Sequence, residues 1–220
     1  MFVVLEGPEG VGKTTISQCC VERLGRFGIH ATVVPEFSTS ALGTYLHARL
    51  ATDPFLREPG MQTAVTQVLA VAADTAHAVE YGVAPLLKVC DVVLKDRYRE
   101  SLVACQYLAL VKEYGWNSET AMCRLIEIAT LMPFAPDITF HLQASAATRI
   151  TRLRTRDGIQ SGCDTAENID YMARRAEAYQ HLLENYPWTP APVWIDAERP
   201  VDEVVSEICI RIKSIYERAS

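Results

Sequence analysis

The segment Gly7-Pro8-Glu9-Gly10-Val11-Gly12-Lys13-Thr14 constrains this chain more than any other, because it matches G-x-x-x-x-G-K-[ST] in full. Phe2-Val3-Val4-Leu5 precedes it, a short apolar run of the kind buried in a parallel sheet. Thr14 to Phe27 follows as a predicted helix, with Ile16, Cys20, Val21, Leu24 and Phe27 near 3.6-residue spacing. Strand, glycine-rich turn and helix in that order curl the backbone until successive N–H groups face one anion, and the helix N-terminus adds partial positive charge. Gly7, Gly10, Val11, Gly12, Lys13, Thr14 and Thr15 therefore form the predicted phosphate cradle. Lys13 is placed to reach the β- and γ-phosphates of a nucleotide, and the Thr14 hydroxyl suits Mg²⁺.

Composition narrows the rest. The 220 residues predict one domain over 1–220, and 49% hydrophobic residues supply its core. A net charge of −6 argues against a nucleic-acid-binding surface. No apolar run approaches the roughly 18 residues of a membrane span, and the strand-like N-terminus does not read as a signal peptide, so a cytoplasmic protein is expected. The cysteines, at 19, 20, 90, 105, 123, 163 and 209, are odd in number and form no C-x-x-C, which argues against a disulfide framework or zinc ribbon. The histidines show no metal-ligand spacing.

Strand-like and helix-like stretches then alternate. The predicted strands are 31–35, 89–95, 138–142 and 192–196. The predicted helices are 40–50, 61–88 (kinked or ended by Pro85), 100–114 (stopped by Gly115), 118–131 (capped by Ser118), 144–156, 166–185 and 201–218. Asp53-Pro54 and Pro59-Gly60 read as breaks, and 157–165 as a polar loop. This alternation predicts a three-layer α/β fold, a parallel sheet of about five strands with helices on both faces.

A second constellation, Asp96-Arg97-Tyr98, lies at the C-terminal end of the strand Val92-Val93-Leu94-Lys95. Ligands of open α/β sheets sit outside the carboxyl ends of the strands, so this segment should face the crevice of the phosphate loop. An aspartate there suits Mg²⁺ or its water, and an arginine suits a phosphate clamp.

Through these residues the chain resembles the thymidylate kinase family of P-loop nucleoside monophosphate kinases. The opening Phe2 to Thr15 is similar to the family's start, and Asp96-Arg97-Tyr98-x-x-Ser101-x-x-Ala104-x-Gln106 follows its D-R-Y-x-x-S-x-x-A-Y-Q pattern at all but one position. Pro136-Asp137-Ile138-Thr139 resembles its P-D-[LI]-T strand, and Ile195-Asp196-Ala197 with Val204 and Ile208 its adenine-side ending. The resemblance implies Mg²⁺-dependent phosphoryl transfer from ATP to a nucleoside monophosphate, thymidylate to its diphosphate or a related acceptor. It implies that Lys13 and the Gly10 and Gly12 backbone bind ATP phosphates, that Thr14 and Asp96 serve the metal, and that Ala197 lines the adenine. Arg97 contacts the phosphates being joined. Glu9, Glu36, Phe37, Val71, Thr75, Ser101 and Cys105 stand at acceptor-side positions, Glu9 facing the sugar. A mobile lid is expected over about 149–165, and neither Pro8 nor Val11 is basic, so the catalytic arginine is expected there. Arg152 and Arg156 are favoured over Arg149 and Arg154, although a solvated helix face would carry the same spacing.

The acceptor side departs from the pattern. Phe37 stands where the family places a phosphate-reading arginine, Val71 and Thr75 where it places a base-stacking aromatic and a base-reading arginine, and Cys105 where it places a tyrosine beside the sugar. Losing a charged hydrogen bond to phosphate costs about 1.5–3 kcal/mol, and losing a stacking aromatic about 1–3 kcal/mol. Either the pocket takes a different acceptor, the favoured reading, or residues such as Tyr45, Arg49, Arg57 or Arg99 take over. A kinase acting on a nucleoside or another small-molecule hydroxyl, and a nucleotide-binding module without transfer, are the rival functions. The resemblance also implies a homodimer, for which the Ala- and Val-rich stretch Thr63 to Val83 is available. A helix buried in the core would show the same pattern.

Overall fold

The computed structural model describes residues 1–52, 63–157 and 165–219. Among them, five strands form one parallel sheet in the order β2-β3-β1-β4-β5. The strands are β1 (Phe2–Glu6), β2 (Ala31–Val34), β3 (Val92–Asp96), β4 (Ile138–Gln143) and β5 (Val193–Asp196). β1 lies at the centre, with Leu5 beside Asp96 of β3 and Glu6 beside His141 of β4.

The continuous apolar runs follow from burial on both faces. Val3 and Leu5 pack against α1 (Lys13–Arg26) and α9 (Val201–Ala219), in a core with Ile16, Leu24, Ile208 and Ile212. Phe2 and Val4, pointing the other way, pack against α3 (Ala64–His77), α5 (Arg99–Tyr114), α6 (Ser118–Ala129) and α8 (Ala166–Asn185). Alternation of side chains along β1 thus builds both outer layers from five residues. α2 (Ala41–Thr52) and α7 (Ala146–Asp157) lie over the C-terminal edge, each on a small cluster of its own.

Two local readings need correction. The helix predicted over 61–88 is not continuous: α3 passes into a π-helical turn at Ala78–Val83 and a short helix, α4 (Ala84–Leu86). Pro85 has no N–H for the carbonyl four residues back, and the turn before it widens. The cap of α6 is Asn117, whose side chain accepts the Thr120 N–H at 2.7 Å, while Ser118 is its first helical residue. Gly115 ends α5 as predicted. The breaks at Asp53-Pro54 and Pro59-Gly60, Met61, Arg57, Cys163 and most of the predicted 157–165 loop lie outside the described residues. No described helix is long and apolar enough to cross a membrane.

Candidate active site

The parallel sheet brings the ends of β1, β3 and β4 together, and the glycine-rich loop leaves β1 there. Gly7 (φ 134°) passes so close to β4 that a Cβ would stand 2.5 Å from the Leu142 carbonyl oxygen. Gly10 (φ 80°) lies equally close to α7, where a Cβ would stand 2.6 Å from the Arg149 carbonyl oxygen. Both need left-handed backbone and the absence of a side chain. Val11 is buried beneath the loop, and Gly12 precedes the first turn of α1. Lys13 is buried, and its Nζ donates to the Gly7 and Pro8 carbonyls at 2.9 and 3.2 Å. Burial, and then the Arg97 charge, pull the Lys13 ammonium below its ordinary value. Thr14 and Thr15 are exposed on the wall of a cavity of about 1450 Å³.

Asp96 meets this loop from β3. Its Oδ2 accepts the Thr14 hydroxyl at 3.1 Å, and its buried Oδ1 has no hydrogen-bond partner. Among the described residues, no group of three or more His, Cys, Asp or Glu is placed to hold a metal by itself. The hydroxyl and the free carboxylate oxygen are hard donors that fit Mg²⁺, which binds through one or two protein oxygens and completes its shell with water and phosphate.

Arg97 adopts a left-handed backbone (φ 61°), fixed by its N–H on the Leu5 carbonyl at 3.0 Å. Such a conformation costs of order 1–3 kcal/mol and persists only where the surroundings over-determine it. Here they do: Nη1 donates to the Gly7 carbonyl, Ser101 Oγ and Tyr179 Oη at 3.1, 3.1 and 2.8 Å. Nη2 lies 3.5 Å from Glu9 Oε1 and Nε 3.3 Å from Glu36 Oε2. Ser101 and Tyr179 rest in turn on buried Glu6, which also accepts the Tyr98 N–H at 2.7 Å. Burial alone would raise the Glu9 carboxyl, but Arg175, Arg97 and Lys13 outweigh it and bring it to about 2.

On the acceptor side, Phe37 is buried with Leu46 of α2 and packed by Leu42, Leu50 and Val71. Its ring is core, and no cation enters the cavity from this turn. The Thr75 hydroxyl turns back to the Val71 carbonyl at 2.8 Å. Cys105 is buried with Sγ 3.9 Å from Arg97 Nη1, and burial raises its thiol. Glu9, Glu36, Phe37, Val71, Thr75, Asp96, Arg97, Ser101 and Cys105 all line the same cavity as Lys13, so the structure brings the predicted acceptor and phosphate residues together.

Ala197 follows β5, is buried, and lines the cavity from the α9 side. Arg152 links it to the phosphate loop: Nη1 donates to the Val11 carbonyl at 3.1 Å and Nη2 to the Ala197 carbonyl at 2.8 Å. Arg156 also lines the cavity. Arg149 is buried, and its Nε and Nη1 have no hydrogen-bond partner. Of the proposed replacements, Arg99 is turned to the Thr189 carbonyl at 3.1 Å.

Four residues of the site carried no motif. Arg175 of α8 reaches Glu9 Oε1 at 2.8 Å and the Cys105 carbonyl at 3.1 Å. Tyr179, one turn on, holds Arg97. Lys95 is buried, and its Nζ ties the Pro35, Glu36 and Asp96 carbonyls at 2.7, 2.8 and 3.2 Å, fixing the turn after β2 to β3. Asp74, buried on α3, accepts the Ser38 N–H at 3.0 Å and both the Ser38 and Ser40 hydroxyls. The available signals were weak: a lysine inside an apolar strand and an aspartate inside an apolar helix, each needing a partner.

Comparison with known proteins agrees with this geometry. The family model described as Thymidylate kinase matches residues 5–208. A thymidylate kinase of Clavibacter michiganensis subsp. michiganensis is 32% identical over 219 residues, covering 98% of this chain and 95% of its own. One of Nostoc punctiforme is 29% identical over 210 residues, covering 94% of each chain. One of Desulfovibrio desulfuricans is 29% identical over 223 residues, covering 99% and 97%.

Proposed function

The chain belongs to the thymidylate kinase family and is an ATP-dependent kinase, and from that premise we propose that it transfers the γ-phosphoryl group to a nucleoside monophosphate in the cavity between Lys13 and Phe37, thymidylate or a close relative being the acceptor. The observation that carries this reading is the meeting of Lys13, Thr14, Asp96 and Arg97 in that one cavity. The loop N–H groups and Lys13 bind the ATP phosphates. Arg97, braced by Ser101, Tyr179 and Glu36, is held where it can clamp donor and acceptor phosphates in line. Ala197 and its neighbours receive the adenine, and one of Arg152 and Arg156 closes the site from the lid. Mg²⁺, held by Thr14 and Asp96, would supply neutralisation of phosphate charge. Positioning and charge neutralisation suffice for this chemistry, and no covalent intermediate is required.

The free thiols of the described cysteines fit a reducing cytoplasm. The exposed Leu69 and Tyr81 on the outer side of α3 and its π-helical turn support pairing of two chains along that face. Phe37 favours one second reading, transfer to an unphosphorylated nucleoside, because its buried ring removes the cation expected for an acceptor phosphate. Incubation with γ-labelled ATP and thymidylate tests the first reading: label should appear in a nucleoside diphosphate. Label in thymidine monophosphate, from a parallel reaction with thymidine, would support the second.

A further inference from the structure

An acceptor bearing a phosphate needs cationic groups at its end of the cavity, and the turn after β2 offers none: Glu36, Ser38 and Thr39 line the cavity there, and position 37 is the buried Phe37 ring. The α8 side of the cavity does carry one. Arg175 enters from α8 with its side chain 5% exposed and lines the cavity. Its Nη1 meets Glu9 Oε1 at 2.8 Å, and Arg97 Nη2 approaches the same oxygen at 3.5 Å. Two guanidiniums that converge on one carboxylate oxygen are close enough for one phosphate to bridge them. Planar forks of this kind bind phosphate through parallel N–H···O bonds. Nη2 of Arg175 is anchored on the Cys105 carbonyl at 3.1 Å, so the group is preorganised rather than waiting in solvent.

Resting on the proposed transfer to a nucleoside monophosphate, we propose that Arg175 is an acceptor-phosphate ligand, working with Arg97 and replacing from α8 the cation that position 37 does not supply. Glu9 is then the internal anion that keeps the two guanidiniums together until the acceptor arrives. A purely structural role, clamping α8 to the phosphate loop, would act on every ligand of the cavity alike. A phosphate-reading role acts only on the phosphorylated one.

The test is calorimetric binding of thymidylate and thymidine, with ATP as control and γ-phosphoryl transfer assayed alongside, for the wild type, Arg175→Gln and Arg175→Lys. In the wild type the monophosphate should bind more tightly than the nucleoside. Arg175→Gln should lower that ratio by roughly 10- to 100-fold, the worth of a charged hydrogen bond, with nucleoside and ATP affinities unchanged. Arg175→Lys keeps the charge without the fork and should fall between, and it carries the test if Arg175→Gln does not fold. An unchanged ratio in a folded variant that binds ATP overturns the role of Arg175 alone. Wild-type protein that binds ATP but neither binds nor phosphorylates any monophosphate overturns the proposed function, and this role with it.

Discussion

The Thr14 hydroxyl donates to the Asp96 carboxylate at 3.1 Å, joining residues 82 positions apart at the point where β1 and β3 end side by side. The bond leaves Asp96 Oδ1 buried and without a hydrogen-bond partner, an oxygen that the proposed Mg²⁺ site would use. Asp96→Asn should therefore keep ATP binding but raise the Mg²⁺ concentration for half-maximal turnover by about tenfold or more, since metal affinity depends on the carboxylate charge. Turnover measured across a Mg²⁺ titration checks this; an unchanged midpoint would remove Asp96 from the metal site.

Arg152 holds the Val11 and Ala197 carbonyls together, one from the phosphate loop and one from the proposed adenine side. Arg152→Ala should raise the KM for ATP by roughly tenfold, because losing this charged link between the two carbonyls loosens both walls of the proposed nucleotide site, with a smaller effect on kcat. Steady-state kinetics would assign Arg152 to the transferring phosphoryl group instead if kcat fell by about 10³ at unchanged KM. Arg156→Ala, measured in parallel, shows whether the second arginine acts there.

Glycine substitutions should have opposite signs at two positions. Gly10→Ala forces a Cβ to 2.6 Å from the Arg149 carbonyl oxygen at φ 80° and should cost about 1–3 kcal/mol. Gly25→Ala, in α1 with nothing within 4 Å of the new Cβ, should gain about 0.5–1 kcal/mol. Thermal melts resolve both, at about 2–4 °C per kcal/mol for a chain of this size.

Glu100 is buried beside Glu6, and burial first, then the Glu6 charge, push its carboxyl up to about 8. The folded state therefore holds a proton that the unfolded chain releases near the ordinary carboxylate value. Its contribution to stability is complete below about pH 4.5 and is lost as pH rises towards about 8. Glu100→Gln, which keeps a donor toward Glu6, should flatten the fall in melting temperature between those limits and raise it at the alkaline end. Parallel pH profiles of the two proteins would contradict this.

What could be read from the sequence was what is contiguous in it. Loop, β-strands and the Asp96-Arg97-Tyr98 segment were legible because one short stretch carries each signal, and parallel topology then fixes where their ends meet. Arg175 was not, because its meaning comes from Glu9, 166 positions away, and one arginine on a polar helix looks like any other. Lys95 and Asp74 depend in the same way on carbonyls and hydroxyls of the turn after β2. Ser118 and Asn117 are equally good caps by residue type, and only the chain's path chose Asn117. Phe37 departs from the family pattern in the sequence itself, but its burial against Leu46 is a tertiary fact.

The most direct test is ADP formation by the purified protein with Mg²⁺ and ATP, set against thymidylate, the other nucleoside monophosphates, thymidine and no acceptor, with Lys13→Ala as control. Turnover with thymidylate or a related monophosphate should lie far above the rate without acceptor. Removing the Lys13 donor should reduce it by about 10²–10³. Turnover with thymidine alone, or ATP binding with no transfer to any monophosphate, would contradict the proposed function.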